Sequence, residues 1–262
     1  MAEFISLYSG SSGNCSLVRW EEKYLLIDMG KSCRTTVTAL KQLGLNISDC
    51  QGILVTHEHS DHVKGLQVFL NKHHIPVYAS AATLDALEWN GILSPAAEAI
   101  AIEGRTEEVG DFVVKAFPTS HDVPCCGYRI RTPDGKSMAI ATDLGFISPV
   151  VHEHLEGCSL VALESNYDLT SLMNGSYPYH LKVRIRSQRG HLDNRECAAK
   201  VLELMQNGCE KIALCHLSQQ NNTPQLALGE IHRTLEAAGY TLPPQAVVQV
   251  QLRNEVSPPL EF

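Results

Sequence analysis

The feature that most constrains this chain is a run of six residues, 57–62, that reads His-Glu-His-Ser-Asp-His. It directly follows residues 52–56, a short apolar and β-branched stretch with the character of a buried strand. In an extended segment residues two apart point the same way, so His57 and His59 can bind one cation while Asp61 and His62 turn toward a second. A polar surface loop would not explain three imidazoles and a carboxylate at the exit of an apolar strand. The pattern therefore predicts a metal-binding loop.

The same arrangement recurs along the chain, where an apolar stretch leads to a residue that can bind a metal. Residues 24–27 end in Asp28, residues 112–117 lead to His121, residues 138–142 end in Asp143, and residues 211–215 end in His216. A lone His or Asp after a strand is more often a turn residue. Beside the six-residue cluster, however, these positions predict that rigid strands bring distant side chains to one metal centre.

Together these residues resemble the metallo-β-lactamase superfamily, and the likeness covers nearly the whole chain. It implies an α/β fold, the αββα sandwich of two mixed sheets with external helices, and a two-metal site along one edge. The ligands that the resemblance implies are His57, His59 and His121 for the first metal, Asp61, His62 and His216 for the second, and Asp143 as the bridge. Asp28 would support the site without binding a metal. We expect two divalent ions, Zn²⁺ or Mn²⁺, because both accept mixed nitrogen and oxygen ligands.

Length and composition agree with a single domain that spans residues 1–262. At 44% hydrophobic content the chain can bury one large core. We detect no long linker, repeat, bilayer-spanning apolar run or export signal, so we expect a cytoplasmic protein with no membrane association and no stable protein partner. The nine cysteines are odd in number and form no Cys-x-x-Cys pair, which favours reduced thiols.

Helical patterns lie between the predicted strands. Apolar residues recur with one-sided spacing in residues 35–43, 63–70, 81–89, 195–205 and 224–238. Asp193 or Asn194 can cap the fourth helix, and Gly208 lies just beyond its end. Residues 15–20 and 24–27 are separated by a short charged turn and predict an antiparallel hairpin. Mixed sheets with external helices fit better than a doubly wound parallel sheet.

The C-terminal third favours phosphodiester chemistry. Gly190-His191 precedes a predicted helix and Glu164 ends the strand at 160–163, which resembles ribonuclease Z. A closer resemblance, to the YycJ/WalJ branch of the superfamily, rests on Ser9-Gly10-Ser11-Ser12-Gly13-Asn14-Cys15-Ser16, Glu164-Ser165-Asn166-Tyr167-Asp168, Gly190-His191-Leu192 and His216-Leu217-Ser218 with Asn221-Asn222. Members of that branch are described as cytoplasmic bacterial DNA exonucleases that work from the 5′ end.

This resemblance implies a 5′-to-3′ DNA exonuclease that hydrolyses phosphodiester bonds with a metal-bridging hydroxide, and a nucleic-acid substrate in which DNA is favoured over RNA. Asp61 would orient the hydroxide, and His191, held by Glu164, would stabilise the transition state or protonate the leaving oxygen. Ser11, Ser12 and Asn14 form a possible substrate loop. The alternative is a thioester or lactone hydrolase of the glyoxalase II type on the same metals.

Charge is distributed unevenly. The net charge of −8 argues against a protein that coats nucleic acid nonspecifically, yet residues 180–191 contain no acid. If this stretch is extended, Lys182, Arg184 and Arg186 share one face that suits a phosphate backbone, and Arg189 follows. A charged edge strand that prevents aggregation is the alternative. Because the stretch runs directly into His191, we expect it to contact nucleic acid.

Overall fold

Two seven-stranded sheets form the centre of the fold, as a computed structural model that describes residues 1–262 shows. The strands are β1 (Ala2–Tyr8), β2 (Cys15–Trp20), β3 (Lys23–Ile27), β4 (Cys50–Leu54), β5 (Val77–Ala79), β6 (Ala99–Ala101), β7 (Thr106–Val109), β8 (Phe112–Thr119), β9 (Cys125–Arg131), β10 (Ser137–Ala141), β11 (Leu160–Glu164), β12 (Lys211–Cys215), β13 (Val247–Val250) and β14 (Leu260–Glu261). The strand order is β14-β1-β2-β3-β4-β5-β6 in the first sheet and β13-β12-β11-β10-β9-β8-β7 in the second.

Nine α-helices lie along the chain between these strands. They are α1 (Cys33–Gln42), α2 (Ser60–Val63), α3 (Leu66–Leu70), α4 (Ala81–Trp89), α5 (Pro149–Leu155), α6 (Leu169–Asn174), α7 (Tyr179–Ile185), α8 (Asn194–Gln206) and α9 (Pro224–Ala237). The Asp193 side chain caps α8 by accepting a hydrogen bond from the backbone of Glu196. None of the helices combines the length and the apolar character that a membrane crossing requires.

Alternating side chains bury both faces of each sheet. In β1, Phe4 packs in a core shared by the two sheets, whereas Ile5 packs in a core that also contains residues of α1, α3 and α4. In β12, Ala213 belongs to the shared core and Ile212 packs with residues of α5, α8 and α9. Because successive residues of a strand point to opposite faces, this alternation yields four layers in the order α, β, β, α. The predicted fold class is confirmed.

Several sequence predictions can be compared directly with these elements. The hairpin of β2 and β3 is antiparallel, as predicted, and all nine cysteines are free and buried. The single helix predicted for residues 63–70 is wrong, because α2 and α3 are separate helices with a break at Lys64 and Gly65. The Gly65 amide donates to the carbonyl of Met29, and a Cβ on Gly65 would collide with the backbone of Lys31. This close approach interrupts the helix.

The extended segment predicted for Lys182, Arg184 and Arg186 is also wrong. Residues 179–185 form α7, which begins after Pro178, whose carbonyl accepts hydrogen bonds from Leu181 and Lys182. Apolar residues at 181, 183 and 185 imitate the alternation of a strand, but this segment pairs with no sheet. A short helix satisfies its backbone hydrogen bonds internally, which an unpaired strand cannot do.

The topology places the metal-binding candidates at one edge. β3 and β4 are parallel neighbours in the first sheet, and β10, β11 and β12 are parallel neighbours in the second. Their carboxyl ends therefore lie side by side within each sheet. Asp28, His57, Asp143 and His216 all follow the ends of these strands, so the fold presents them at neighbouring edges.

Candidate metal centre

Three of the site residues have unusual backbone geometry. Asp28, Asp143 and His216 have φ angles of 59°, 56° and 54°, and Glu21 is the only other residue besides glycine with a positive φ. Residues with a side chain rarely adopt this left-handed conformation, and its cost is on the order of 1–3 kcal/mol where the context does not favour it. At each of the three positions the conformation turns the chain abruptly where a strand ends. The strain is thus concentrated where the metal-binding candidates converge.

The first predicted ligand group converges in the structure. His57, His59 and His121 present nitrogen atoms that all lie within 4.8 Å of one another. His57 Nε2 is 3.0 Å from His59 Nδ1. On the far side of its ring, His121 Nδ1 lies 3.2 Å from the carbonyl oxygen of Gly190, which leaves His121 Nε2 directed at the group. Spacings of this order allow three imidazoles to bind a single ion.

The second group lies beside the first. Asp61, His62 and His216 also offer ligand atoms within 4.8 Å of one another. Asp143 lies between the two groups: its Oδ2 is 3.3 Å from His62 Nε2, and its Oδ1 is 4.0 Å from His121 Nε2. The seven side chains proposed as ligands therefore meet in one place, with a carboxylate in the middle that can face both positions.

Oxygen acceptors fix the orientation of the histidines. Asp28 Oδ2 lies 2.7 Å from His62 Nδ1, and Asp28 Oδ1 accepts from the backbone N–H of Thr56. The Thr56 hydroxyl donates to the same carboxylate and lies 3.0 Å from His57 Nδ1. A carboxylate beside Nδ1 requires the proton on that nitrogen, which leaves Nε2 with a lone pair for a metal. Asp28 thus contacts His62, a proposed ligand, without reaching the cavity.

Glu164, at the end of β11 in the second sheet, orients histidine side chains as Asp28 does in the first sheet. Its Oε1 lies 2.9 Å from His216 Nδ1 and 2.8 Å from His191 Nδ1, and its Oε2 accepts from the backbone N–H groups of Leu144 and Leu192. Burial on its own raises the pKa of the Glu164 carboxyl, but His191 and His216 outweigh it and the pKa is lowered. One ionised carboxylate therefore orients a proposed metal ligand and His191 together.

The donor atoms themselves test whether divalent cations fit. Asp143 Oδ2 and His216 Nε2 are buried and have no hydrogen-bond partner, although buried polar atoms normally have one. Burial on its own raises the pKa of Asp143, but the imidazoles of His216 and His62 hold it well below its usual range. Five imidazoles and two carboxylates form the mixed nitrogen and oxygen set that Zn²⁺ and Mn²⁺ accept. The residues present fit a pair of such ions.

A cavity of about 230 Å³ opens over these groups. His191 lines it and has one side-chain nitrogen, Nε2, without a protein partner, since Nδ1 is held by Glu164. Burial on its own lowers the pKa of His191, but Glu164 and Asp143 outweigh it and raise the pKa. The other residues of the cavity wall include Ser11, Asn166, Tyr177, Leu181, Arg184, Ile185 and Ser218. The wall combines polar groups beside the ligands with an apolar side contributed by α7.

The predicted substrate loop divides into two parts. Ser11 lines the cavity, and Ser12 lies next to it with its hydroxyl 3.2 Å from Lys31 Nζ. Asn14 instead points inward, where its Nδ2 lies 3.1 Å from His62 Nε2 and its Oδ1 accepts from the N–H of Gly10. Asn14 therefore connects the loop to a proposed ligand.

The basic stretch is largely occupied with contacts inside the protein. Lys182 donates to the carbonyls of Met173 and Gly175, and Arg189 donates to those of His121 and Asp122. Arg184 forms a 2.9 Å ion pair with Asp122 and also lines the cavity, while Arg186 contacts the sulfur of Met173. Of the four cations, only Arg184 lines the cavity.

Sequence reasoning missed three residues that contact the site. Thr56 touches both Asp28 and His57, Asn166 Nδ2 donates to the carbonyl of His216, and Asp122 Oδ1 lies 3.2 Å from His121 Nε2. Thr56 and Asp122 each adjoin a proposed ligand, and this adjacency was the available signal. Asn166 stood out only as part of the Glu164–Asp168 motif of the family resemblance, and its own role was not visible, because its contact joins segments 50 residues apart.

The comparisons with known proteins agree with this geometry. The family described as the Beta-lactamase superfamily domain matches residues 23–216. The fold and the site therefore define an enzyme of the metallo-hydrolase class, and the chain belongs to the metallo-β-lactamase superfamily.

Individual relatives narrow this assignment to the YycJ/WalJ branch. Exodeoxyribonuclease YycJ of Bacillus anthracis is 37% identical over 238 residues, which cover 90% of each chain. Exodeoxyribonuclease WalJ of Streptococcus pneumoniae is 35% identical over 224 residues, which cover 84% of this chain and 83% of that protein. Among solved structures, the metallo-β-lactamase fold protein YhfI of Bacillus subtilis superposes with a TM-score of 0.71 over 98% of each chain at 16% identity, a likeness of fold alone.

Proposed function

We propose that this protein is a dinuclear-metal exonuclease that removes nucleotides from DNA in the 5′-to-3′ direction. The observation that carries the proposal is the Glu164 carboxylate, which contacts both His216, a proposed metal ligand, and His191, a cavity residue with a free ring nitrogen. This arrangement positions an acid or a hydrogen-bond donor directly beside the metal-binding groups. Relatives that match over most of their length are named exodeoxyribonucleases, which supports DNA as the substrate.

The metal ions would be held by two sets of residues that share Asp143. One set is His57, His59 and His121, and the other is Asp61, His62 and His216. When bound, two divalent cations lower the pKa of water and neutralise charge on the phosphate oxygens. Asp28, Thr56 and Glu164 keep the imidazoles in the tautomer that binding requires.

The protein's own groups account for orientation and proton transfer. Asp61 lines the cavity and can accept a hydrogen bond from the attacking water, which orients its lone pair toward phosphorus. His191, in the segment between α7 and α8, lines the same cavity, and its Nε2 can donate a proton to the leaving oxygen. Glu164 stabilises the protonated form of His191, because its carboxylate raises the pKa of that imidazole.

The shape of the cavity favours the end of a strand over the middle of a duplex. Tyr177, Leu181 and Ile185 form an aromatic and apolar side above the polar metal-binding groups. A nucleotide has the same two parts, because its phosphate is anionic and its base is flat and largely apolar on its faces. The cavity is small, about 230 Å³, which favours the entry of a single strand end over an intact base pair.

Duplex DNA labelled at either the 5′ or the 3′ end tests the proposal. With Zn²⁺ or Mn²⁺ added, we expect the 5′ label to be released first as a short product, whereas the 3′ label shortens gradually through a ladder. Single-stranded DNA, RNA of the same sequence, and a thioester and a lactone are assayed in parallel. Release of the 3′ label first would contradict the direction, and turnover of the thioester or lactone without cleavage of DNA would contradict the nuclease assignment.

A further inference from the structure

Two cations that the proposed chemistry does not use lie on either side of the glycine–serine loop formed by residues 9–14. We propose that Lys31 and Arg253, together with the Ser12 hydroxyl, form a subsite that binds a phosphate of the DNA backbone next to the scissile one. The subsite rests on the proposed function, since it extends the path of the same strand. Neither cation forms an ion pair in the protein, and the nearby Lys64 forms none either.

Lys31 is held close to the metal-binding groups by tight backbone packing. The N–H of Gly30 donates to the carbonyl of Asn14 over 2.8 Å, and a Cβ on Gly30 would collide with the backbone of Asp61. Lys31 therefore starts beside the six-residue ligand cluster. Its side chain then passes over Gly13, where a Cβ would lie 2.7 Å from Lys31 Cδ, and its Nζ ends 3.2 Å from the Ser12 hydroxyl.

Arg253 lies against the opposite end of the loop. Its guanidinium packs on Gly10, where a Cβ would lie 2.7 Å from Nη1, and the φ of Gly10 is 119°. Nη2 donates to the carbonyl of Leu217, which adjoins His216. Nη1 is buried and has no hydrogen-bond partner. A buried guanidinium nitrogen without an acceptor is costly, and an incoming phosphate oxygen would satisfy it.

The charges around Lys31 also favour an anion. Burial lowers the pKa of Lys31, and the neighbouring charges of Arg253 and Lys64 lower it further, with no carboxylate among the groups that act on it. Lys31 is therefore repelled by two cationic neighbours, although the chain as a whole carries a net charge of −8. A bound phosphate would relieve this repulsion.

The location connects the subsite to the cavity. Ser11 lines the cavity together with Asp61 and His216, and Ser12 is the next residue along the loop. A strand whose scissile phosphate lies at the metal-binding groups would thus pass Ser11 before its neighbouring phosphate meets Ser12 and Lys31. The α7 side of the cavity has no unpaired cation to offer a phosphate, because its one cavity-lining cation, Arg184, forms an ion pair with Asp122.

The test compares K31M with wild type on two substrates, a single-stranded oligonucleotide and bis(p-nitrophenyl) phosphate, which has only one phosphate. We expect kcat/KM for the oligonucleotide to fall about 10-fold more than kcat/KM for the small diester. The slope of log KM against log salt concentration should become shallower by about 0.7, the value for one phosphate contact on a single strand. K115M removes a lysine from the exposed side of β8 and serves as the matched control.

R253K and R253Q provide a second measurement, with melting temperatures recorded to show that each variant folds. R253K should retain more oligonucleotide activity than R253Q, because it keeps the charge. Equal losses on both substrates, or a K31M effect no larger than that of K115M, would overturn the subsite. If wild type cuts no DNA, the proposed function fails. The subsite is then still tested by fluorescence anisotropy, which compares the binding of a phosphorothioate oligonucleotide to wild type and to K31M.

Discussion

His62, His121, His191 and His216 share one local design. In each, Nδ1 lies within 3.2 Å of an oxygen acceptor: Asp28 for His62, the carbonyl of Gly190 for His121, and Glu164 for His191 and His216. Such contacts hold the ring in one tautomer and one orientation, so that little reorganisation remains when a ligand binds at Nε2. The difference between His191 and the other three lies in what Nε2 faces, not in how the ring is held.

Replacement of His191 or Asp143 should separate catalysis from metal binding. We expect H191A to keep its full metal content and lose about 10²- to 10⁴-fold in kcat, the usual contribution of general acid–base catalysis. D143A should lose metal and activity together, because Asp143 contacts both ligand groups. Elemental analysis of the purified variants and turnover on single-stranded DNA measure the two effects. Wild-type kcat in H191A would exclude a catalytic role for His191.

D28N tests whether the Asp28 carboxylate, which contacts His62 Nδ1, contributes to metal binding. Asn adopts the left-handed conformation that residue 28 requires at least as easily as Asp, so the backbone should be unaffected. The amide cannot provide the negative charge that faces His62 Nδ1. We expect metal affinity to fall about 10- to 100-fold in competition with a chromophoric chelator. D49N, which removes a surface carboxylate paired with Lys23, should bind metal like wild type.

At the scale of secondary structure, α7 is the only α-helix that contributes no buried residue to a hydrophobic core. None of its residues is buried, and Tyr179 and Val183 are exposed. Contacts on its C-terminal side hold it in place: Ser120 donates to the carbonyl of Gln188, and the N–H of His191 donates to that of Ile185. Hydrogen bonds to the loop that carries His121 thus position the segment that covers the cavity. A shift of that loop would therefore move both His121 and the cavity wall.

The glycines Gly145 and Gly229 should respond in opposite ways to alanine. A Cβ on Gly145 would lie 2.5 Å from the carbonyl oxygen of Ser187, so G145A must displace residues 187–190. We expect a loss of about 1–3 kcal/mol in stability from overpacking, and a lower kcat, because Gly190 and His191 move with that segment. Gly229 lies inside α9 with only the tip of Arg233 within 4 Å, so G229A should gain about 0.5–1 kcal/mol in stability.

Chemical denaturation measures the stability of both variants, and turnover assays measure their kcat. A G145A protein as active and as stable as G229A would contradict the close packing inferred at Gly145.

At the scale of the whole molecule, the proposed metal ligands connect the two sheets. The loop that contains His57, His59, Asp61 and His62 follows β4 in the first sheet, whereas His121, Asp143 and His216 follow β8, β10 and β12 in the second. Bound cations would therefore crosslink the halves of the sandwich at one edge. The opposite charges in the site also hold the ligands together, since Asp143 lies among the imidazoles of both sheets.

Metal removal should consequently lower stability as well as activity. A ligand that binds only the native state adds about 2.7 kcal/mol of stability at 100 times its Kd. We expect EDTA to lower the melting temperature of wild type and added Zn²⁺ or Mn²⁺ to restore it, as measured by calorimetry. D143A should melt at the same temperature with and without EDTA. Identical wild-type curves under both conditions would show that cations do not bridge the sheets.

Much of the site was predictable because its residues follow strands. An apolar stretch that ends in Asp or His is visible in the sequence, and the parallel strands of each sheet place those endings at one edge. The Lys182–Arg189 region was predicted less well, since the period-two pattern of Leu181, Val183 and Ile185 is compatible with a strand until its surroundings are known. Thr56, Asn166 and Asp122 were missed because their importance lies in what they touch.

The chain's sequence alone predicted the layered fold and the set of proposed ligands, because the clustered imidazoles and the strand-end residues that carry the family resemblance are local properties. Only the tertiary structure decided which nitrogen each histidine presents and that Glu164 contacts two histidines at once. It also decided that Lys31 and Arg253 have no ion-pair partner beside the glycine–serine loop and that Arg253 Nη1 has no hydrogen-bond partner. These outcomes depend on distances between segments that are far apart along the chain, and such distances exist only after the two sheets have packed together.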